Sequence, residues 1–195
     1  MKNVARVIFV LVFAALLGAP AHAQTPVAPP PRPADSGPSL EVTMKFILDK
    51  LNDIGKVSFV TFVQNTTDGS TFSNIMTNQV SNAGVQQNLC WITYHWTTTK
   101  GGTTVSDMAA GFPLRDVQDI VVKPFAQYQS ELDASLGNPN FVTSSTNPAL
   151  SALLVRRAHG VVNLFPFTDA DTANRVAKAM VRAVELCGGG NKDPF

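Results

Sequence analysis

Apolar residues follow two different rhythms along this chain. Leu40, Met44, Ile47, Leu48 and Leu51 fall at i, i+4, i+7, i+8 and i+11, one stripe on a helix. Ser39 suits its N-cap and Gly55 its stop. Beyond Gly55 the period shortens to that of strands. Val57 to Gln64 is rich in β-branched and aromatic residues, Asp68-Gly69 marks a hairpin turn, and Thr71 to Val80 returns from it. A break is expected around Asn82-Ala-Gly84. Leu89 to Thr98 alternates, with Cys90, Ile92, Tyr94 and Trp96 on one face and Trp91, Thr93, His95 and Thr97 on the other. The first set is expected to face the core. Thr103 to Gly111 follows a turn at Lys100-Gly-Gly102, and Val117 to Lys123 is a further strand ending at Pro124.

Phe125 to Leu150 is polar and interrupted by Gly137, Pro139 and Pro148; it reads as a long connection with a short helix around Gln127 to Leu136. Ala152 to Arg157 and Val161 to Phe167 then flank a turn at His159-Gly160. The clearest helical stripe comes last. Ala173, Val176, Ala177, Met180, Ala183, Val184 and Cys187 share a face, Thr168 or Asp169 caps its start, and Asp169 and Asp171 stand at the positive end of its dipole. Gly188-Gly-Gly190 stops it.

This order predicts an α+β fold: an N-terminal helix, about seven strands in a strongly bent antiparallel sheet or barrel, and a long C-terminal amphipathic helix. Hairpin-linked strands closed by one such helix resemble the PH-like superfold, whose barrels serve mostly as recognition scaffolds. The run from Phe165-Pro-Phe167 through Arg175-Val-Ala-Lys-Ala179 to Val184-Glu-Leu-Cys-Gly188 is similar to the end of uncharacterised exported bacterial proteins, a resemblance that implies no function. A plain layered α+β sandwich is the alternative.

Residues 1–23 have the pattern of a secretory signal peptide. Lys2 and Arg6 precede an apolar run from Val7 to Gly18, and Ala19-Pro-Ala-His-Ala23 ends in the small-x-small pattern of a cleavage site, so cleavage is expected before Gln24. The apolar run is short for a transmembrane helix of roughly 20 residues, and no membrane anchor is expected after cleavage. Residues 24–38 carry six prolines, Pro26, Pro29, Pro30, Pro31, Pro33 and Pro38, and read as an extended, disordered tether. Residues 39–188 form the single expected domain, and 189–195 a flexible tail. Two cysteines, Cys90 and Cys187, remain in an oxidising setting, which favours a disulfide over two buried thiols.

Charge narrows the partners. Of the 195 residues 15% are charged, with 15 Lys+Arg against 14 Asp+Glu and no basic block, so a nucleic-acid partner is not expected. No nucleophile elbow, SxxK pair, HExxH, phosphate loop or dinucleotide turn occurs, and neither a catalytic group, a cofactor site nor a metal site is assigned. His95 and His159 lack a second histidine at ligand spacing, and Ser70, Ser73 and Ser106 lack an identifiable base. Two surface features remain. Trp91 and His95 share a strand face, and Arg175, Lys178 and Arg182 lie at i, i+3 and i+7 on the last helix, a basic stripe suited to an anionic envelope polymer or lipid headgroup. The expectation is a periplasmic or secreted, non-catalytic binding or interaction module of the bacterial envelope, partnered by an envelope protein or polymer. A small hydrolase of unfamiliar type, built on His95 or His159, and a structural envelope protein are the alternatives. Oligomeric state is not readable.

Overall fold

The computed structural model describes residues 37–86, 88–137 and 141–190, with backbone only for 141–145. The expected signal peptide, the tether up to residue 36 and the tail from residue 191 lie outside the described residues. The fold is α+β. Helix α1 (Leu40–Ile54) leads into strands β1 (Lys56–Asn65), β2 (Thr71–Val85), β3 (Trp91–Lys100) and β4 (Thr103–Pro113). A 3-10 turn, Leu114–Asp116, precedes β5 (Val117–Pro124), α2 (Phe125–Ser135), β6 (Phe141–Asn147), β7 (Ser151–Arg157), β8 (Val162–Phe167) and α3 (Ala170–Leu186).

The strands form two antiparallel sheets rather than one bent sheet or a closed barrel. The first has the order β4-β3-β2-β1-β6 and the second β5-β7-β8. The chain leaves the first sheet at Pro113, which has no N–H to donate to a ladder, and the turn that follows sends β5 to β7 instead of β4. The segment read as a long connection holds an eighth strand: β6 pairs with β1 from Val60↔Asn147 to Asn65↔Phe141. Its sequence, FVTSSTN, is mostly hydroxyl-bearing and shows little apolar alternation, as suits an edge strand. The break expected near Asn82 is a bulge inside β2, where the register shifts between Ser81 and Gly84.

Both predicted stripes are buried. Met44, Ile47 and Leu51 of α1 join Ala173, Val176, Met180, Ala183 and Val184 of α3 in one core cluster, with Val80, Ile92, Tyr94 and Phe112 from the first sheet and Leu153, Val155 and Phe165 from the second. A second cluster holds Val57, Phe59, Phe125, Leu150, Ala152 and Leu154. Strand β7 therefore feeds both clusters alternately, which explains the unbroken apolar run Ala152-Leu-Leu-Val155. Among the described residues no helix is long and apolar enough to cross a membrane.

Cys90 and Cys187 are joined, with Cα atoms 5.7 Å apart across a sequence separation of 97. Helix α3 ends beside this bond in a Schellman motif. The N–H of Gly188 donates to Glu185 O and that of Gly189 to Val184 O. Gly188 has φ +75°, a conformation that disfavours any side chain. At its other end α3 is capped by Asp169, which accepts from the Thr172 hydroxyl and from the N–H of Thr172 and Asp171; these bonds, the hydroxyl's foremost, hold its carboxyl below the usual range.

Two outcomes test this packing. Replacing Cys90 and Cys187 together by Ala is expected to cost about 2–4 kcal/mol, read from urea unfolding; an unchanged midpoint would show that apolar packing alone fixes α3. Alkaline pH tests the core. Burial pushes the Tyr94 hydroxyl up to about 12, with Arg157 partly opposing. Above pH 10 the unfolded chain releases this proton while the fold retains it, so stability falls progressively between the ordinary pKa of 10.0 and about 12. Tyr94→Phe should flatten that loss in pH-dependent unfolding curves, leaving the smaller share expected from Tyr128, which burial also raises.

Candidate recognition site

The alternation of β3 sets the site. Ile92 and Tyr94 are buried, so Trp91, Thr93, His95 and Thr97 stand on the outer face of the first sheet. Register places Thr93 opposite Gly111, His95 opposite Ala109 and Thr97 opposite Asp107 on β4. The floor between Trp91 and His95 is therefore made of Thr93, Ala109 and Gly111, all small. It forms an open hollow of about 470 Å³ whose rim carries Asn82 and Gln86.

Gly111 is required by close approach. A Cβ there would lie 2.7 Å from Ile92 O and 2.9 Å from Trp91 Nε1, so the indole rests directly against the β4 backbone. The β2 bulge is held just as firmly. The Asn52 side chain of α1 donates from Nδ2 to Ala83 O at 3.0 Å and accepts from the Ala83 N–H at 2.8 Å. This replaces the ladder bonds that the bulge forfeits and fixes Asn82 at φ +53°.

His95 is oriented by a carboxylate. Its Nε2 lies 3.2 Å from Asp107 Oδ1, which also accepts from Thr97 Oγ1 at 3.1 Å. Ser81 lies opposite His95 on β2. The other predicted residues do not converge here. Arg175 stacks on the Phe46 ring at 5.4 Å, Arg182 approaches Glu185 at 3.7 Å and packs against Gly37, and Lys178 is exposed. None of the three lines the hollow. His159 sits in the exposed β7–β8 turn, and Ser70 donates to Asp68 beside the β1–β2 turn. Among the described residues no group of three or more His, Cys, Asp or Glu could hold a metal ion.

A polar group between the sheets escaped sequence reading. Tyr94 donates its hydroxyl to Asn163 Oδ1 at 3.0 Å, and its ring meets Phe165 at 5.0 Å. Arg157 lies over the Phe112 ring at 5.9 Å. Asn163 Nδ2 and Arg157 Nε are buried without a hydrogen-bond partner, an arrangement that costs about 1–3 kcal/mol per group. The available signal was Asn163 itself, an amide inside the apolar run Val161 to Phe167.

Gly111→Ala is expected to cost about 1–3 kcal/mol by overpacking and to lift the indole off β4. In a Trp96→Phe background the Trp91 emission should shift; unchanged emission with unchanged stability would mean that the indole does not rest on Gly111.

Compared with protein-family models, curated proteins and solved structures, the chain matches none.

Proposed function

We propose that the chain is an exported, non-catalytic recognition module of the bacterial envelope, and that it takes an envelope component in the hollow between Trp91 and His95. The observation that carries this reading is the fixed geometry of that hollow. An indole is seated on Gly111, an imidazole is held by Asp107, and the β2 bulge is clamped by Asn52. Rigid aromatic and polar groups around a small-residue floor bind at low entropic cost.

Export is supported by the pattern of residues 1–23 and by the Cys90–Cys187 bond, which belongs to oxidising compartments. The element order, antiparallel strands followed by a long amphipathic helix, supports a PH-like scaffold. The lining favours a neutral, hydroxyl-rich segment such as an envelope saccharide. Trp91 offers an apolar ring, while Asn82, Gln86, Thr93 and His95 offer both donors and acceptors.

One observation favours a second reading, a hydrolase: Ser81, His95 and Asp107 stand on adjacent strands, with the imidazole 3.2 Å from the carboxylate. No Ser81–His95 hydrogen bond joins the first two among the described residues.

The test uses the secreted protein, whose intact mass should begin at Gln24, titrated with soluble saccharide fragments of its own envelope. Binding should weaken about tenfold or more in Trp91→Ala, the size of effect expected from losing a central aromatic contact. His95→Ala should weaken it too. Unchanged affinity in both variants overturns the site. A serine-directed phosphonate that labels Ser81 in the wild type and not in His95→Ala would replace recognition with hydrolysis.

A further inference from the structure

The gap between the two sheets has a chemistry of its own. Strands β4 and β8 are both edge strands, and a hollow of about 550 Å³ lies between them. That volume falls in the range of small-ligand sites, roughly 300–1,000 Å³. Trp96, Met108, Val162 and Leu164 wall it, and Tyr94, Asn163 and Arg157 supply its polar groups. Met108 and Val162 are apolar yet 52% and 41% exposed.

The polar groups are unbalanced in a way that specifies a ligand. Arg157 is the one charged residue in the lining, and no acidic side chain joins it there. Its guanidinium pairs with no carboxylate among the described residues. Arg157 Nε and Asn163 Nδ2 are donors left without acceptors. The Asn163 carbonyl oxygen and the Tyr94 hydroxyl are already engaged with each other. The site thus offers donors and a positive charge beside an apolar wall. A planar carboxylate matches a guanidinium fork and accepts without donating. An alcohol or amine head would bring further donors to a site that already has a surplus.

We propose that the cleft between β4 and β8 binds an amphiphilic carboxylate, with its headgroup on Arg157 and Asn163 and its apolar chain against Trp96, Met108, Val162 and Leu164. Reaching the two buried donors requires a lining side chain to swing aside. Met108, unbranched and the most exposed of the walls, provides that freedom. The cleft adjoins the Trp91–His95 hollow and shares Tyr94, Ala109, Ala110 and Gly111 with it, but Arg157 and Asn163 line the cleft alone, so the proposal does not rest on binding in the outer hollow.

The experiment titrates the intact protein by calorimetry with decanoate and decyl phosphate below their micellar concentrations and with 1-decanol below its solubility limit. Decanoate should bind one per chain and at least about tenfold tighter than 1-decanol, the gain expected from one charge-assisted hydrogen bond. Arg157→Met should abolish that preference and Trp91→Ala should leave it intact. Amide shifts in the wild-type protein supply a readout that needs no variant, and decanoate should move Val162, Asn163 and Met108 but not Gln86. Equal affinity for decanoate and 1-decanol, tighter binding of decyl phosphate, or shifts centred on Gln86 would each overturn the proposal. Loss of decanoate binding in Trp91→Ala would overturn its independence from the outer hollow.

Discussion

Three constraints meet at the end of α3: a covalent bond, a helix-ending motif and a close backbone approach. The Cys90–Cys187 bond ties the helix to the residue just before β3. The Schellman motif turns the chain at Gly188, and Gly189 then passes so near the 3-10 turn that a Cβ would lie 2.7 Å from Arg115 Cα and 2.8 Å from Leu114 O. The N–H of Leu114 in turn donates to Cys90 O. One small region therefore joins the start of β3, the end of β4 and the end of α3. Trp91 follows Cys90 directly, so the wall of the outer hollow inherits its position from the same anchor.

From that anchor β3 connects the core to both hollows. Its inner residues, Ile92 and Tyr94, pack with α1, α3 and the second sheet, while Trp91 and His95 face outward. A strand whose side chains alternate strictly cannot shift by one residue without exchanging the two sets. Burial of Ile92 and Tyr94 thereby fixes which way Trp91 and His95 point. On the β2 side of β3 this regularity is relaxed at the Ser81–Gly84 bulge, where Asn52 satisfies the backbone groups released, and on its β4 side the register shifts only between Thr98 and Thr99, beyond the Trp91–His95 stretch.

Elements with strong local signals were legible in the sequence. The stripes of α1 and α3 read correctly because each helix buries one face against a single core, and their caps at Ser39 and Asp169 are local hydrogen bonds. The alternation of β3 read correctly because only one of its faces is buried. The split into two sheets was not legible, since it depends on β5 choosing β7 over β4, a non-local pairing that leaves no periodic trace. Strand β6 was missed for a related reason: its order comes from the β1 ladder and not from an apolar face. Trp91 and His95 were found together by their spacing on one strand. The Tyr94–Asn163 pair, 69 residues apart, required the fold.

The arginines show why charge in a sequence is a poor guide to sites. Arg175 and Arg182 gave a regular stripe, yet one lies over Phe46 and the other packs beside Glu185 and Gly37. Arg175 is exposed, where a charge is screened and contributes little, and Arg182 is half-buried beside a carboxylate of its own helix. Arg157 gave no pattern, being one of two arginines at the end of a strand, but its Nε is buried and unsatisfied. In a medium of lower dielectric the same charge acts more strongly on whatever enters. The outer hollow and the inter-sheet cleft also share Tyr94, Ala109, Ala110 and Gly111 as lining. Only β4 and its small residues stand between them, so the thinness that seats the Trp91 indole on one side also shapes the cleft on the other.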